Sequence, residues 1–367
     1  MKVAFIFGTR PEVIKLAPVI LAVKKIRKFE TVLISTGQHD GLLKEALNTF
    51  NLTTDVNFEI MKHYQTLSYI MSKAIAELDS FINVIKPNIT VVEGDTSSTL
   101  AGALASFYHK IQVIHIEAGC RTDNISEPFP EEANRRLIAT LASWHFPATK
   151  VARDNLIREG YDTKRIFLVG STEVDATDWI LKNTTSKHLY NVVPDVEARK
   201  HIVVITTHRR ESWGKPFAEV FSALKHIVKD HPHTHFIYSI HPNPLVLQPA
   251  IKALSGFKNL VIIPHIATIP FIHLISRSSL IMTDSGGVQL QAGFLLKPIM
   301  ILRNVTEWQE LIEEGIGRLV GTDKQSIIST FKDYVAKKWP KKMPAKPIYA
   351  KGAANKIVKI ISSKILA

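Results

Sequence analysis

The sequence predicts an α/β protein made of two parallel sheets flanked by helices. Short β-rich runs alternate with longer helical patterns along the whole chain, the arrangement that gives parallel strands joined by crossover helices. The strand series restarts after Pro194, so two comparable sheets result. Its 367 residues, 46% of them apolar, suffice for two domains that each bury a core.

In the first half, the β-rich runs fall at residues 2–7, 31–35, 89–93, 112–116, 145–147 and 166–169. Helical patterns fill the gaps. Over residues 65–85, for instance, Leu67, Ile70, Met71, Ala74, Ile75 and Leu78 fall on one face at helical spacing. In the second half the runs fall at 202–206, 235–240, 260–263, 280–283, 299–302 and 318–320. The break is expected near residues 170–183, ahead of the polar stretch 183–187, which gives domains 1–172 and 173–352. A last apolar-periodic segment carrying Ile357, Val358, Ile360, Ile361 and Ile365 follows the proline-rich stretch 340–347. The helix 353–367 is expected to pack back on the first domain. No internal repeat with a fixed short period is present.

Composition narrows the partners. No apolar run reaches the ~18–20 residues of a membrane span, and the longest early one, around Val13 to Val23, is interrupted by Lys15 and Pro18. The opening Met1-Lys2 followed by Val3 to Phe7 is too short for a signal peptide and reads as a first buried strand and its turn. Cys120 is the sole cysteine, which excludes an internal disulfide and suits a reducing, cytoplasmic setting. Its thiol, beside Gly119, reads as a nucleophile or as small buried filler. The net charge of +13 suits nucleic acid, a membrane surface or a phosphorylated small molecule. The excess is diffuse, and its densest run, Lys337, Lys338, Lys341 and Lys342 around Pro340, reads as a solvated linker. Neither nucleic acid nor membrane is therefore expected as a partner.

In open parallel sheets ligands bind at the carboxyl ends of strands, so the residues just after each strand carry the chemistry. After the first come Gly8, Thr9, Arg10, Pro11 and Glu12, then a helix with Lys15: a plausible anion site, or cations that pair with Glu12 or solvent. Asp95 follows Gly94 at a strand tip and is either a site carboxylate or the N-cap of the next helix. Glu117 stands at another tip, near Gly119. Glu131 opens the helix after Pro128-Phe129-Pro130, where it joins the site or complements the helix dipole. In the second half His208, beside Arg209 and Arg210, reads as a structural histidine or as part of a pyrophosphate site. Ser285-Gly286-Gly287 follows a strand and opens a helix, presenting backbone N–H groups suited to a phosphate. No Gly-x-Gly-x-x-Gly follows the first strand, no Walker lysine loop occurs, and the histidines and acids lack a zinc spacing. No cofactor and no metal are expected.

Seven stretches occur in one order: GTRPEVIKLAPV at 8–19, TGQH at 36–39, GDTSST at 94–99, EAGCRT at 117–122, PFPEEANRRL at 128–137, THRRES at 207–212 and TDSGGVQ at 283–289. Over nearly the whole chain they resemble the non-hydrolysing UDP-N-acetylglucosamine 2-epimerase family. The resemblance implies a homodimer with two Rossmann-like domains of the GT-B-like kind, the nucleotide sugar lying in the cleft between them. It further implies reversible inversion at C2 of UDP-N-acetylglucosamine, through elimination of UDP and re-addition to an enzyme-bound glycal. Such chemistry needs acid and base groups near both sugar faces, and cations or N–H dipoles for the diphosphate. By resemblance Asp95, Glu117 and Glu131 supply the carboxylates, the identity of the base being left open. His208 contacts diphosphate or assists proton transfer. Arg10, Lys15 and Ser285-Gly286-Gly287 hold UDP, and Phe271 lies against uracil.

The chain also departs from the family pattern. Gln291 stands where a glutamate commonly bonds the ribose hydroxyls, and Thr306-Glu307-Trp308-Gln309-Glu310 replaces Thr-Glu-Arg-Pro-Glu. The Thr-Glu-Trp form is similar to the branch acting on UDP-2,3-diacetamido-2,3-dideoxyglucuronate, which keeps that substrate as an alternative. Gln38 and Gln65 match a second, activating nucleotide-sugar site, whereas Gly41 and Tyr64 stand where a glutamine and an arginine are usual. Other classes that fit the fold are a GT-B glycosyltransferase, a hydrolysing epimerase and a non-catalytic nucleotide-sugar-binding protein.

Overall fold

A computed structural model describes residues 1–37, 41–62, 65–193, 196–207, 214–240, 243–263 and 266–365. The chain divides into two compact units, Met1–Trp179 with Lys351–Ala367, and Ile180–Ala350. In the first, β1 (Lys2–Phe7), β2 (Glu30–Ser35), β3 (Val56–Asn57), β4 (Ile89–Glu93), β5 (Gln112–Ile116) and β6 (Trp144–Phe146) form one sheet in the order β3-β2-β1-β4-β5-β6. In the second, β7 (Ile202–Thr207), β8 (His235–Ile240), β9 (Leu260–Ile263), β10 (Leu280–Thr283), β11 (Ile299–Ile301) and β12 (Gly317–Leu319) run β12-β11-β10-β7-β8-β9. All pairings within both sheets are parallel. Counted within its own unit, each sheet has the Rossmann order 3-2-1-4-5-6, so a crevice opens where the strand order reverses, at β1/β4 and at β7/β10.

The strands are apolar on both faces because helices cover both, as parallel sheets require. In the first unit Ala4, Ile6, Ile34 and Val92 pack against Ala74, Leu78, Ile82 and Ala101 of the flanking helices. In the second, Val203, Ile205, Phe236 and Met282 pack against Phe217, Val220, Leu224 and Phe331. Each side chain of this size removed from water contributes roughly 2 kcal/mol, so the two cores are separately substantial. The helix Ala353–Ile360 belongs to the first unit and buries Ala353, Ala354, Ile357 and Val358. Asp175 accepts the backbone N–H groups of Gly352 (2.5 Å) and Ala354 (2.6 Å) at its start.

Three local expectations change. Residues 166–169 form no strand but a single bridge, His145 to Ile166, with the N–H groups of Phe167 and Val169 donating to His145 and Pro147. Proline at 147 has no N–H, which ends β6 at Phe146 and leaves that edge only loosely extended. β3 is an additional strand: Val56, Phe58 and Ile60 alternate with Asn57 and Glu59, but only Val56 and Asn57 pair with β2. The helix expected from residue 65 starts at Leu67, because the Thr66 hydroxyl accepts from Tyr69 N–H as its N-cap.

Candidate active site

At the tip of β1 the chain enters the helix Arg10–Lys24 with Pro11 in its first turn. Glu12, buried, turns back on that entry. Its Oε2 accepts the N–H groups of Gly8 (3.1 Å) and Thr9 (2.8 Å), while Oε1 accepts the hydroxyls of Thr96 (3.0 Å) and Thr99 (2.8 Å). One carboxylate thus stitches the β1 turn to the β4 turn across the switch point. Burial pushes the Glu12 pKa up, and these hydrogen bonds oppose it. Gly8 must be glycine: a Cβ there would lie 2.1 Å from Ser98 Oγ and 2.3 Å from Thr36 Oγ1. Arg10, the first helical residue, is largely buried, which lowers its pKa against the opposing pull of Glu45 and Glu173.

One helical turn on, the Lys15 ammonium is held by two carboxylates rather than by Glu12. Its Nζ lies 2.6 Å from Glu117 Oε1 and 3.0 Å from Glu93 Oε1. Burial disfavours its charge, but Glu117 and Glu93 outweigh that and hold its pKa well above the ordinary value. Glu93, 1% exposed, ends β4 in register with Ile116. Burial drives its pKa well above the carboxylate range; Lys15 opposes the shift and Glu117 adds to it. Glu117 follows β5 at φ +62°, the left-handed region a side chain rarely occupies, and its N–H donates to Phe146 O. Such strain clusters at functional sites. Two residues later Gly119, φ +84°, lies so close to the helix Lys150–Arg158 that a Cβ would meet Ala152 O at 2.1 Å.

Asp95 does not cap the helix Ser97–Tyr108; Thr96 does, accepting Thr99 N–H at 3.1 Å. Its hydroxyl sits one residue nearer the first turn, which leaves the Asp95 carboxylate for Arg135, whose Nε and Nη2 reach Oδ2 at 3.1 and 2.5 Å. Asn134 Nδ2 donates to the Asp95 carbonyl at 2.9 Å. Both partners stand on the helix Glu131–Leu141, so Asp95 is tied to the helix that Glu131 opens. Arg135 also pairs with fully buried Glu132 (3.1 Å), which accepts Thr122 N–H and the Arg136 guanidinium. On the other flank of the turn, His115 Nε2 bonds Gly94 O at 2.7 Å. Burial lowers the pKa of His115 to about 3 and that of its neighbour in register, His145, to about 4. The carbonyl accepts, so His115 is the neutral Nε2–H tautomer. Sequence reading had not singled out Glu93, Glu132, Arg135 or His115. Glu93 left a signal, an acid closing an otherwise apolar run; Arg135 left none, because its partner is forty positions away.

In the second unit, Ser285-Gly286-Gly287 links β10 to the helix Gly286–Leu295, and the Ser285 hydroxyl caps no helical N–H. Thr283 Oγ1 accepts Ser285 N–H (3.0 Å), and Gln289 donates to Ser285 O (3.3 Å) while accepting Thr306 Oγ1 (2.6 Å). A Cβ on Gly286 would stand 3.3 Å from Trp308 Nε1, and the buried indole packs edge-on to Tyr349. Gln291 is buried on the same helix; Phe271, half-buried, lies on the helix Thr268–Arg277. A cavity of about 540 Å³, lined in part by Lys215, Arg303, Gly321 and Ser326, opens at the carboxyl ends of β11 and β12. It contains none of the sequence-predicted site residues. Gln65 Oε1 accepts Lys62 N–H at 3.1 Å in the first unit. His208 and Gln38 lie outside the described residues. Among the described residues, no helix is long and apolar enough to cross a membrane.

The chain as a whole has well-matched counterparts among known proteins. A profile described as UDP-N-acetylglucosamine 2-epimerase matches residues 21–362. The UDP-N-acetylglucosamine 2-epimerase of Escherichia coli O157:H7 is 40% identical over 333 residues, 89% of each chain. That of Bacillus subtilis is 38% identical over 359 residues, 97% of this chain and 93% of the relative. The crystal structure of the Neisseria meningitidis enzyme bound to UDP-GlcNAc superposes with a TM-score of 0.94 at 36% identity, covering both chains fully. Acinetobacter baumannii MurG, 12% identical with a TM-score of 0.59 over 98% of each chain, shares the fold alone. The chain belongs to the UDP-N-acetylglucosamine 2-epimerase family.

Proposed function

We propose that this chain is an isomerase that interconverts UDP-N-acetylglucosamine and UDP-N-acetylmannosamine by inversion at C2. A carboxylate takes the C2 proton as the C1–O bond breaks; the C–H electron pair forms the C1–C2 double bond and the C1–O pair leaves with UDP. The reverse addition, with proton delivery to the opposite face of C2, gives the epimer. Asp95, Glu117 and Glu131 are the carboxylates assigned to the sugar, and His208 is assigned to diphosphate contact or proton transfer. Arg10, the Ser285-Gly286-Gly287 turn, Phe271 and Gln291 are assigned to UDP. Lys15 is assigned to the same anion, beside its ion pairs with Glu117 and Glu93. A single observation carries the reading: whole-length membership in this family, with Asp95 and Glu117 at the tips of adjacent strands, β4 and β5, beside the β1/β4 switch point. A transferase needs one sugar face served, whereas inversion needs acid–base groups for both.

Incubation with UDP-N-acetylglucosamine alone, followed by chromatography of the nucleotide sugars, tests it. The expected outcome is UDP-N-acetylmannosamine approaching an equilibrium mixture without an acceptor. Release of free N-acetylmannosamine, turnover only with an added acceptor, or turnover only of the diacetamido uronate would each overturn the assignment.

A further inference from the structure

Lys15 is the meeting point of two strand tips and one helix. Side-chain exposure rises from 2% at Glu93 through 13% at Lys15 to 15% at Glu117, so the three groups run from the core outward and Glu117 alone of the acids faces out. A lysine stem has four rotatable carbons and its ammonium is a point charge without directional preference. Paired with Glu117 only, it would be free to swing with that side chain. A second carboxyl behind it removes that freedom. The cost of the second acid is considerable, since burying two carboxyls around one ammonium leaves a desolvation penalty that an apolar residue would avoid.

We propose that Glu93 is a positioning residue, which holds the Lys15 ammonium from the core side and thereby fixes the Glu117 carboxylate in its working orientation. The proposal rests on the epimerase reading of Glu117. Glu93 does not touch substrate; it acts through Lys15. Glu93 Oε1 stands 3.0 Å from Lys15 Nζ on the core side, and Lys15 opposes the upward push of burial on the Glu93 pKa.

Values of kcat and KM for Glu93→Leu, Glu93→Gln and Glu117→Gln test this, with UDP affinity measured by calorimetry. Glu93→Leu is expected to lower kcat on the order of tenfold or more, with KM and UDP affinity within about threefold, because only the orientation of a reacting group changes. Glu93→Gln, an isostere that keeps an acceptor oxygen behind Lys15, is expected to recover most of that kcat. A kcat within about threefold of wild type in Glu93→Leu overturns the proposal. So does a Glu93→Gln kcat no higher than that of Glu93→Leu; should the leucine variant not fold, Glu93→Met is read against the same threefold limit. Glu117→Gln separates the two levels. Wild-type exchange of the C2 proton in that variant removes the reading of Glu117 itself; loss of exchange there, with the Glu93 variants unaffected, removes only the role of Glu93.

Discussion

Arg135 shows how a residue remote in sequence governs a strand-tip carboxylate. Its guanidinium reaches both Asp95 and buried Glu132. Replacing it by methionine leaves buried Glu132 with Arg136 as its one guanidinium partner and releases Asp95. Arg135→Met is expected to lower the melting temperature and to reduce kcat by about tenfold or more. Arg135→Lys should recover little, because one ammonium does not span the two acids; near-wild-type kcat in either variant contradicts the role. His115 and His145 give a pH signature. Folded, they take a proton only near pH 3 and 4; unfolded, they take it near 6.5. Between those limits the unfolded chain binds more protons, so their contribution is complete above about pH 6.5 and declines as the pH falls. Urea unfolding at pH 7 and pH 5 should show the loss, and His115→Gln, which keeps a donor for Gly94 O without a titrating ring, should flatten part of it. An unchanged pH slope in that variant contradicts this account. At this scale the sequence showed Asp95, Glu117 and the Ser285 turn, because acids and glycines after apolar runs stand out. Arg135 and His115 act through partners twenty to forty positions away, which no local pattern reveals.

Among elements, the long periodic ones were legible and the short edge ones were not. β1, β4 and β5 are mostly apolar runs of five or six residues, and their ends coincide with the expected ones. β3 and the 166–169 segment lie at sheet edges, where pairing is decided by neighbours rather than by local composition. The helix Ala353–Ile360 illustrates an element whose place is set by both pattern and cap. Its apolar face is buried in the first unit and Asp175 holds its first N–H groups. Ile357→Ala should cost about 2–4 kcal/mol, read as a lower denaturant midpoint with unchanged slope. A loss below about 0.5 kcal/mol, the size typical of surface substitutions, would contradict that packing.

At the level of the whole molecule, one sequence encodes the same strand order twice, and each sheet leaves a switch-point crevice at its carboxyl edge. The first unit carries Asp95 and Glu117 on neighbouring strand tips, with Glu12 locking two turns together. The second supplies a glycine turn at a helix start, suited to an anion. The proposed elimination and re-addition of UDP calls for acid–base groups at the sugar and for donors to the diphosphate. Incubation with UDP-N-acetylglucosamine in D2O, followed by proton NMR of the sugar, tests this most directly. The account predicts deuterium at C2 of the UDP-N-acetylmannosamine formed, and in time at C2 of recovered substrate, with the nucleotide still attached. Epimerised product that keeps protium at C2, or no exchange at all, would contradict it.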